Sequence, residues 1–256
     1  MQVKDRGPRG HGGRPMKTLA IDTSLATGSV AALDGDRVAM RPLGAAGQHA
    51  RLLAGALADV AAELGWRPRD AELVAVVRGP GSFTGLRVGV TTAKALAWAT
   101  GARLVAVSGF EVVARLAGSG GGRTRPPIHV AYDAGRGDVF AATVLPSTTS
   151  PSGWDPGAGS LVPLADWIES LAPGGLVAGP VLDLEACAAL LQARSDLVLA
   201  PPGGRAPTAA AAGAVALLHA AAGRHDDPFT LVPDYLRPSY AEEPRHAAGP
   251  RLSPGL

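Results

Sequence analysis

Only one cysteine, Cys187, stands among 256 residues. A lone thiol excludes an internal disulfide framework and a thiolate metal cluster, and it fits a reducing, cytoplasmic setting. Long apolar runs are missing too: no window approaches 18 uninterrupted strongly apolar residues, so no membrane span is expected. Charge of one sign is also scarce. The net +2 arises in residues 1–15, where Lys4, Arg6, Arg9 and Arg14 outnumber Asp5. Residues 16–256 carry 20 basic and 21 acidic side chains. A body so near neutrality offers no basic stripe for a phosphate backbone, which disfavours a solitary tRNA-binding protein.

Catalytic signatures are equally thin. A Walker A loop needs Lys after its last glycine, and Leu86 follows Gly85. The dinucleotide fingerprint fails because its third glycine would fall at Thr84. No G-x-S-x-G elbow occurs, and Cys187 lies in an apolar helical pattern, where an inert core thiol is expected. His49 would need a second histidine at position 53 to make a helical metal pair, and Leu53 stands there. No catalytic residue and no metal ligand is assigned.

What is present reads as α/β. Apolar residues make up 46% and charged residues 18%, enough to build a sizeable core. Residues 1–15 hold four Gly and two Pro with little apolar content, so a disordered basic tail is expected, without the apolar run of a signal peptide. Met16, ahead of KTLAID, reads as the physiological start. KTLAID (17–22) predicts a strand, and 29–43 predicts two strands joined at Asp34–Gly35. Residues 48–65 predict a helix with Leu52, Leu53, Leu57, Val60 and Leu64 at helical spacing, stopped by Gly65. A strand (72–79), a helix from Thr84 or Gly85 to about Ala99, a strand (102–109) and a helix (110–117) complete a lobe over 16–110. A Gly-rich linker region (111–127) precedes a second α/β lobe over 128–200, which opens on two strands turning at Gly135–Gly137 and carries a Pro/Gly/Ser loop at 146–160. A helix at 208–223 is expected to return to the first lobe. The tail 224–256 should be ordered coil at first and frayed beyond Ala241.

Two stretches are candidates for chemistry. In VVRGPGSFTGLRVG, Gly79, Gly81 and Gly85 allow sharp turning before a helix, with Ser82 and Thr84 poised at its start. Such a helix end can receive an anion, or the loop can be a tight packing corner. Both readings stand on the sequence. Asp22-Thr23-Ser24 ends the first strand, a position where a carboxylate beside hydroxyls can hold Mg²⁺ and phosphate, or can simply close a strand-end turn. Asp133, in VAYDAGRGDVFAA, ends the second lobe's first strand in the same way and hints at a duplicated plan.

Taken together, LAIDTSLATGSVAAL, QHARLL, VVRGPGSFTGLRVGVTTAKALAWATG with LVAVSGFEVVA, and VAYDAGRGDVFAA resemble the bacterial TsaB family over residues 17–144, with an echo in PDYLRP (233–238). The resemblance implies a two-lobed fold of the actin, acetate and sugar kinase and Hsp70 type. It implies a role in forming threonylcarbamoyladenosine at position 37 of tRNAs reading codons that begin with A. Threonylcarbamoyl-AMP is then the donor, TsaD the metal-bearing transferase and TsaE the small ATPase. TsaB serves as dimerisation and activating partner, reaching tRNA through the complex. ATP and a metal belong to those partners, and no cofactor is assigned to this chain. The helix at 48–64 would supply the contact with TsaD or with a second copy, through His49, Leu52, Leu53, Ala56, Leu57 and Val60. The enzyme alternative is an actin-like phosphotransferase or ATPase using Asp22, Asp133 and the Gly79–Gly85 loop, with Thr23, Ser24, Gly81, Ser82 and Thr84 as possible nucleotide or anion contacts.

Overall fold

The computed structural model describes residues 15–44, 47–118 and 125–237. The expected tail at 1–14, residues 119–124 of the Gly-rich linker region and everything after 237 lie outside the described residues.

The first sheet grows from β1 (Thr18–Asp22), a five-residue strand buried at every position. β2 (Ser29–Asp34) and β3 (Arg37–Pro42) form a hairpin beside it, pairing Asp34 with Arg37 across a two-residue turn in which Gly35 takes a φ of 65°. β4 (Leu73–Gly79) and β5 (Arg103–Ser108) join the other edge in parallel, giving the order β3-β2-β1-β4-β5. Parallel neighbours require crossovers. α1 (His49–Glu63) links β3 to β4, and α2 (Phe83–Thr100) links β4 to β5. Both cover one face, where Leu19, Ile21, Val74 and Val76 meet Leu53, Leu57, Val60 and Val90. α6 (Ala209–Ala221) covers the opposite face through Ala212, Val215 and Ala216. Its small residues permit close approach, since a Cβ at Gly213 would already lie 2.7 Å from Leu33.

α2 starts earlier than the glycine spacing predicts. Phe83 is already helical, and Ser82, rather than Thr84, caps the helix by accepting from the Gly85 N–H at 3.3 Å. Its end follows the rule for a left-handed glycine cap, with Gly101 at φ 72°.

The second sheet repeats the plan. β6 (Ile128–Gly135) and β7 (Asp138–Pro146) make the hairpin, and β10 (Leu176–Ala178) and β11 (Val198–Leu199) add in parallel beyond β6. The outer edge of β7 takes two short strands, β8 (Trp154–Asp155) and β9 (Ser160–Pro163), so the predicted 146–160 loop is partly ordered by pairing. α4 (Leu164–Ser170) and α5 (Glu185–Leu191) cover one face. α3 (Gly109–Ala117) lies between the lobes. Val112 joins the first lobe's core, while Phe110, Val113 and Ala114 join the second's. The result is a two-lobed α/β fold with one strand plan used twice.

Candidate functional site

The strand ends of the first lobe bring the two sequence candidates together. β1 ends at Asp22, which is 2% exposed, and its carboxylate accepts from the Ser24 N–H at 3.0 Å and the Ser24 hydroxyl at 2.6 Å. The glycine loop closes on that turn. Thr23 Oγ1 donates to the Gly85 carbonyl at 2.7 Å, and the Ser82 N–H donates to the Ser24 carbonyl at 2.8 Å. A Cβ at Gly81 would stand 2.2 Å from the Ser24 carbonyl oxygen. One at Gly85 would stand 2.1 Å from that of Thr23, and one at Gly89 would stand 2.2 Å from Thr23 Oγ1. The corner is filled by backbone. Three groups that could face a phosphate are engaged within the corner itself: the Ser82 N–H by the Ser24 carbonyl, the Thr23 hydroxyl by the Gly85 carbonyl and the Ser24 hydroxyl by Asp22. Gly79 is covered as well, because its Cβ would lie 2.7 Å from the Asp234 carbonyl oxygen.

Electrostatics agree with this reading. Burial pushes the Asp22 carboxyl above its ordinary range, against the opposing Ser24 bonds and His49. Thr84 is exposed and makes no part of the corner. Asp133 is exposed and closes its own turn by accepting from the Gly135 N–H at 2.7 Å. Between these two turns lies Tyr132, buried, whose hydroxyl has no hydrogen-bond partner among the described residues. Burial, and secondarily the charge of Asp22, push that phenol well above its usual range.

The expected partner face on α1 needs correcting. Leu53, Leu57 and Val60 are core residues of this chain, at most 3% exposed, because the stripe they form turns onto the sheet. His49 is buried against the Gly28 turn, its Nε2 3.2 Å from both the Gly28 N–H and the Ala26 carbonyl, each matching one tautomer. Leu52 and Ala56 are half-buried at the margin of the same core. The outward face consists of Ala50, Arg51, Ala54, Gly55, Ala58, Asp59, Ala62 and Glu63.

Between the lobes lies a cavity of about 440 Å³ lined by Arg78, Glu111, Trp154, His219, Arg224 and Asp226, among others. Its carboxylates already hold protein donors. Glu111 accepts from the Ser152 hydroxyl and meets His219 Nε2 at 2.9 Å, and Asp226 Oδ2 accepts from the Ala106 N–H at 2.7 Å. Sequence reading passed over Glu111 and His219, which sit on separate helices 108 positions apart with no local motif. Cys187 is buried, and desolvation pushes its thiol up to about 11. Among the described residues, no group of three or more His, Cys, Asp or Glu is arranged to hold a metal ion, and no helix is long and apolar enough to cross a membrane.

Comparison with known proteins adds the following. Residues 39–151 match the family model described as TsaD, tRNA N6-adenosine threonylcarbamoyltransferase. The tRNA threonylcarbamoyladenosine biosynthesis protein TsaB of Bacillus subtilis (strain 168) is 33% identical over 157 residues, covering 61% of this chain and 66% of that protein. TsaB of Escherichia coli (strain K12) is 32% identical over 127 residues, covering 50% and 54%. Both alignments thus span slightly under two thirds or about half of the curated relative. Among solved structures, YeaZ from Pseudomonas aeruginosa superposes with a TM-score of 0.69 at 23% identity, covering 86% of this chain and all of that one, which establishes a shared fold.

Proposed function

The chain belongs to the bacterial TsaB/YeaZ family, and from that premise we propose that it is a non-catalytic, activating subunit of the machinery that attaches threonylcarbamoyl to adenosine 37 of tRNA. Its partner in this reading is the transferase TsaD, with TsaE as the ATPase of the assembly. The single observation that carries the non-catalytic reading is the filled corner: Gly81, Gly85 and Gly89 pack against the Asp22–Ser24 turn with no room for a Cβ. An actin-like phosphotransferase needs that space for phosphate. The second support is Leu53, which occupies the place of a second metal-binding histidine and is packed in the core. In this reading the chain binds no nucleotide at the corner, and the outward face of α1 meets TsaD or a second copy.

The test is reconstitution of threonylcarbamoyl transfer to tRNA with the host's own TsaD and TsaE, with and without this chain. The chain alone should give no transfer and no ATP hydrolysis, and its addition should raise transfer at least tenfold. Turnover by the purified chain that Asp22→Ala abolishes would replace this reading with the phosphotransferase one.

A further inference from the structure

The chain after α6 does not leave the molecule. Asp226 pairs with the β5 edge, its N–H donating to the Leu104 carbonyl at 2.8 Å. Leu231 is buried in the core of the first lobe beneath α2, and its carbonyl accepts from Lys94 Nζ at 2.8 Å. Asp234 then sits over the glycine corner. Its N–H donates to the Arg78 carbonyl at 2.8 Å, and its carboxylate lies 2.9 Å from Arg78 Nε, close enough for an ion pair though not aligned as a hydrogen bond. The Tyr235 ring lies 4.6 Å from that of Phe83. Up to this residue the segment is held by the first lobe.

The next two residues belong to the other side. Leu236 packs against the second lobe's core cluster, near Phe110 at Gly159, where a Cβ would be 2.7 Å from its methyl. Arg237 reaches the turn between β6 and β7. Its Nη1 donates to the Ala134 carbonyl at 2.8 Å, and its Nη2 pairs with Asp138. The Arg237 side chain is only 17% exposed, which makes the pair stronger than a solvated surface bridge. Arg237 therefore places a guanidinium on the turn that follows Asp133, the second lobe's counterpart of the Asp22 turn.

In a two-lobed fold, a ligand bound between the lobes is the usual means of holding them together. Here the glycine corner is filled, and a protein segment spans the gap. We propose that residues 226–237 form a built-in strap that holds the two lobes closed without a ligand, with Leu236 and Arg237 as its anchor on the second lobe. This goes beyond the partner-subunit reading and does not depend on it. The strap ties one end of the interlobe seam, and the Glu111–His219–Ser152 cluster ties another.

The experiment places spin labels at Asp36→Cys on the first lobe and Glu169→Cys on the second, both exposed, in a Cys187→Ala background, and measures their separation by pulsed electron resonance. With the strap intact, one narrow distance distribution is expected. Arg237→Ala and Leu236→Ala should each add a second, longer population of at least a third of the molecules, with helical content unchanged. In parallel, amide exchange of residues 132–140 should accelerate at least tenfold while β1 and β4 keep their protection. A single, unshifted distance in both variants would overturn the proposal, as would faster exchange spread evenly over both sheets. Should either alanine variant fail to fold, Arg237→Gln removes the charge with less loss of packing and is read by the same criteria.

Discussion

Gly85 occupies a position where even a methyl group meets a backbone carbonyl at 2.1 Å, so flexible side chains cannot relieve the clash. Gly85→Ala should therefore cost about 3 kcal/mol, at or above the upper end of ordinary overpacking. For a chain of this size that lowers the thermal midpoint by roughly 6–12 °C. An unchanged midpoint would show space in the corner and reopen the phosphate reading. Asp22 carries a second prediction. Its folded pKa is raised above the unfolded value of 3.8, chiefly by burial, so the fold favours its protonated form. The stability from that preference is complete below pH 3.8 and is lost as pH rises through the folded value. Raising the pH above 3.8 thus works against the fold, through the cost of ionising a buried Asp22. Asp22→Asn keeps an oxygen for both Ser24 donors without the charge, so its melting midpoint should exceed wild type at pH 7 and converge with it in acid. A variant less stable than wild type at pH 7 would mean that the carboxylate has a cation to hold. Both residues were visible in the sequence as a pair of motifs. Their mutual packing was not, because it joins positions 62 apart through backbone carbonyls that no side-chain pattern encodes.

At the scale of elements, α1 shows what periodicity can and cannot settle. The spacing of Leu53, Leu57, Val60 and Leu64 announced a helix with one apolar stripe, and the structure has that helix at His49–Glu63. A stripe identifies a buried face without saying whether the burial is within the chain or against a partner. The sheet took it. What remains outward is Ala50, Ala54, Gly55, Ala58 and Ala62, flanked by Arg51, Asp59 and Glu63, a surface whose small residues let another helix approach closely. If TsaD docks there, Ala54→Glu and Ala58→Glu should leave monomer stability within about 0.5 kcal/mol and weaken association at least tenfold. Leu57→Glu should behave differently, because an unpaired charge in the core costs about 3–5 kcal/mol and unfolds the monomer before any binding is read. Calorimetry and titration of the three variants separate the cases, and normal binding by both Ala54→Glu and Ala58→Glu would move the interface elsewhere. The second lobe was less legible than the first for a related reason. Its β8 and β11 have two residues each, too short for an alternation, and Trp154 is buried through a pairing with Pro146 that a Pro/Gly/Ser-rich stretch does not advertise.

The whole molecule repeats one strand plan in two sheets, and that repetition could be anticipated from two strand–turn–strand openings, although β1 ends at Asp22 while β6 runs past Asp133 to Gly135. The ties across the lobes could not, since Glu111 with His219 and Arg237 with Ala134 are pairs about a hundred positions apart. They matter for how the assembled protein responds to nucleotide. A ligand that binds only the folded state adds RT ln(1 + [L]/Kd) to its stability, about 2.7 kcal/mol at a hundredfold excess over Kd. At 1 mM Mg-ATP, a site with a Kd of about 10 µM would thus raise the thermal midpoint by roughly 5–11 °C. On the non-catalytic reading proposed above, in which the corner at Gly81 and Gly85 takes no phosphate, the isolated chain should melt within about 1 °C of its own midpoint with or without Mg-ATP or Mg-ADP. If TsaD is the partner, it should act in the opposite way, and an excess of it well above its dissociation constant should raise the midpoint by several degrees. If nucleotide alone produces a concentration-dependent rise, the lobes open far enough to admit phosphate, and Asp22→Ala should then abolish the rise. A rise that survives Asp22→Ala would place the nucleotide away from this corner, with the interlobe cavity beside Glu111 and Arg224 as the next position to probe.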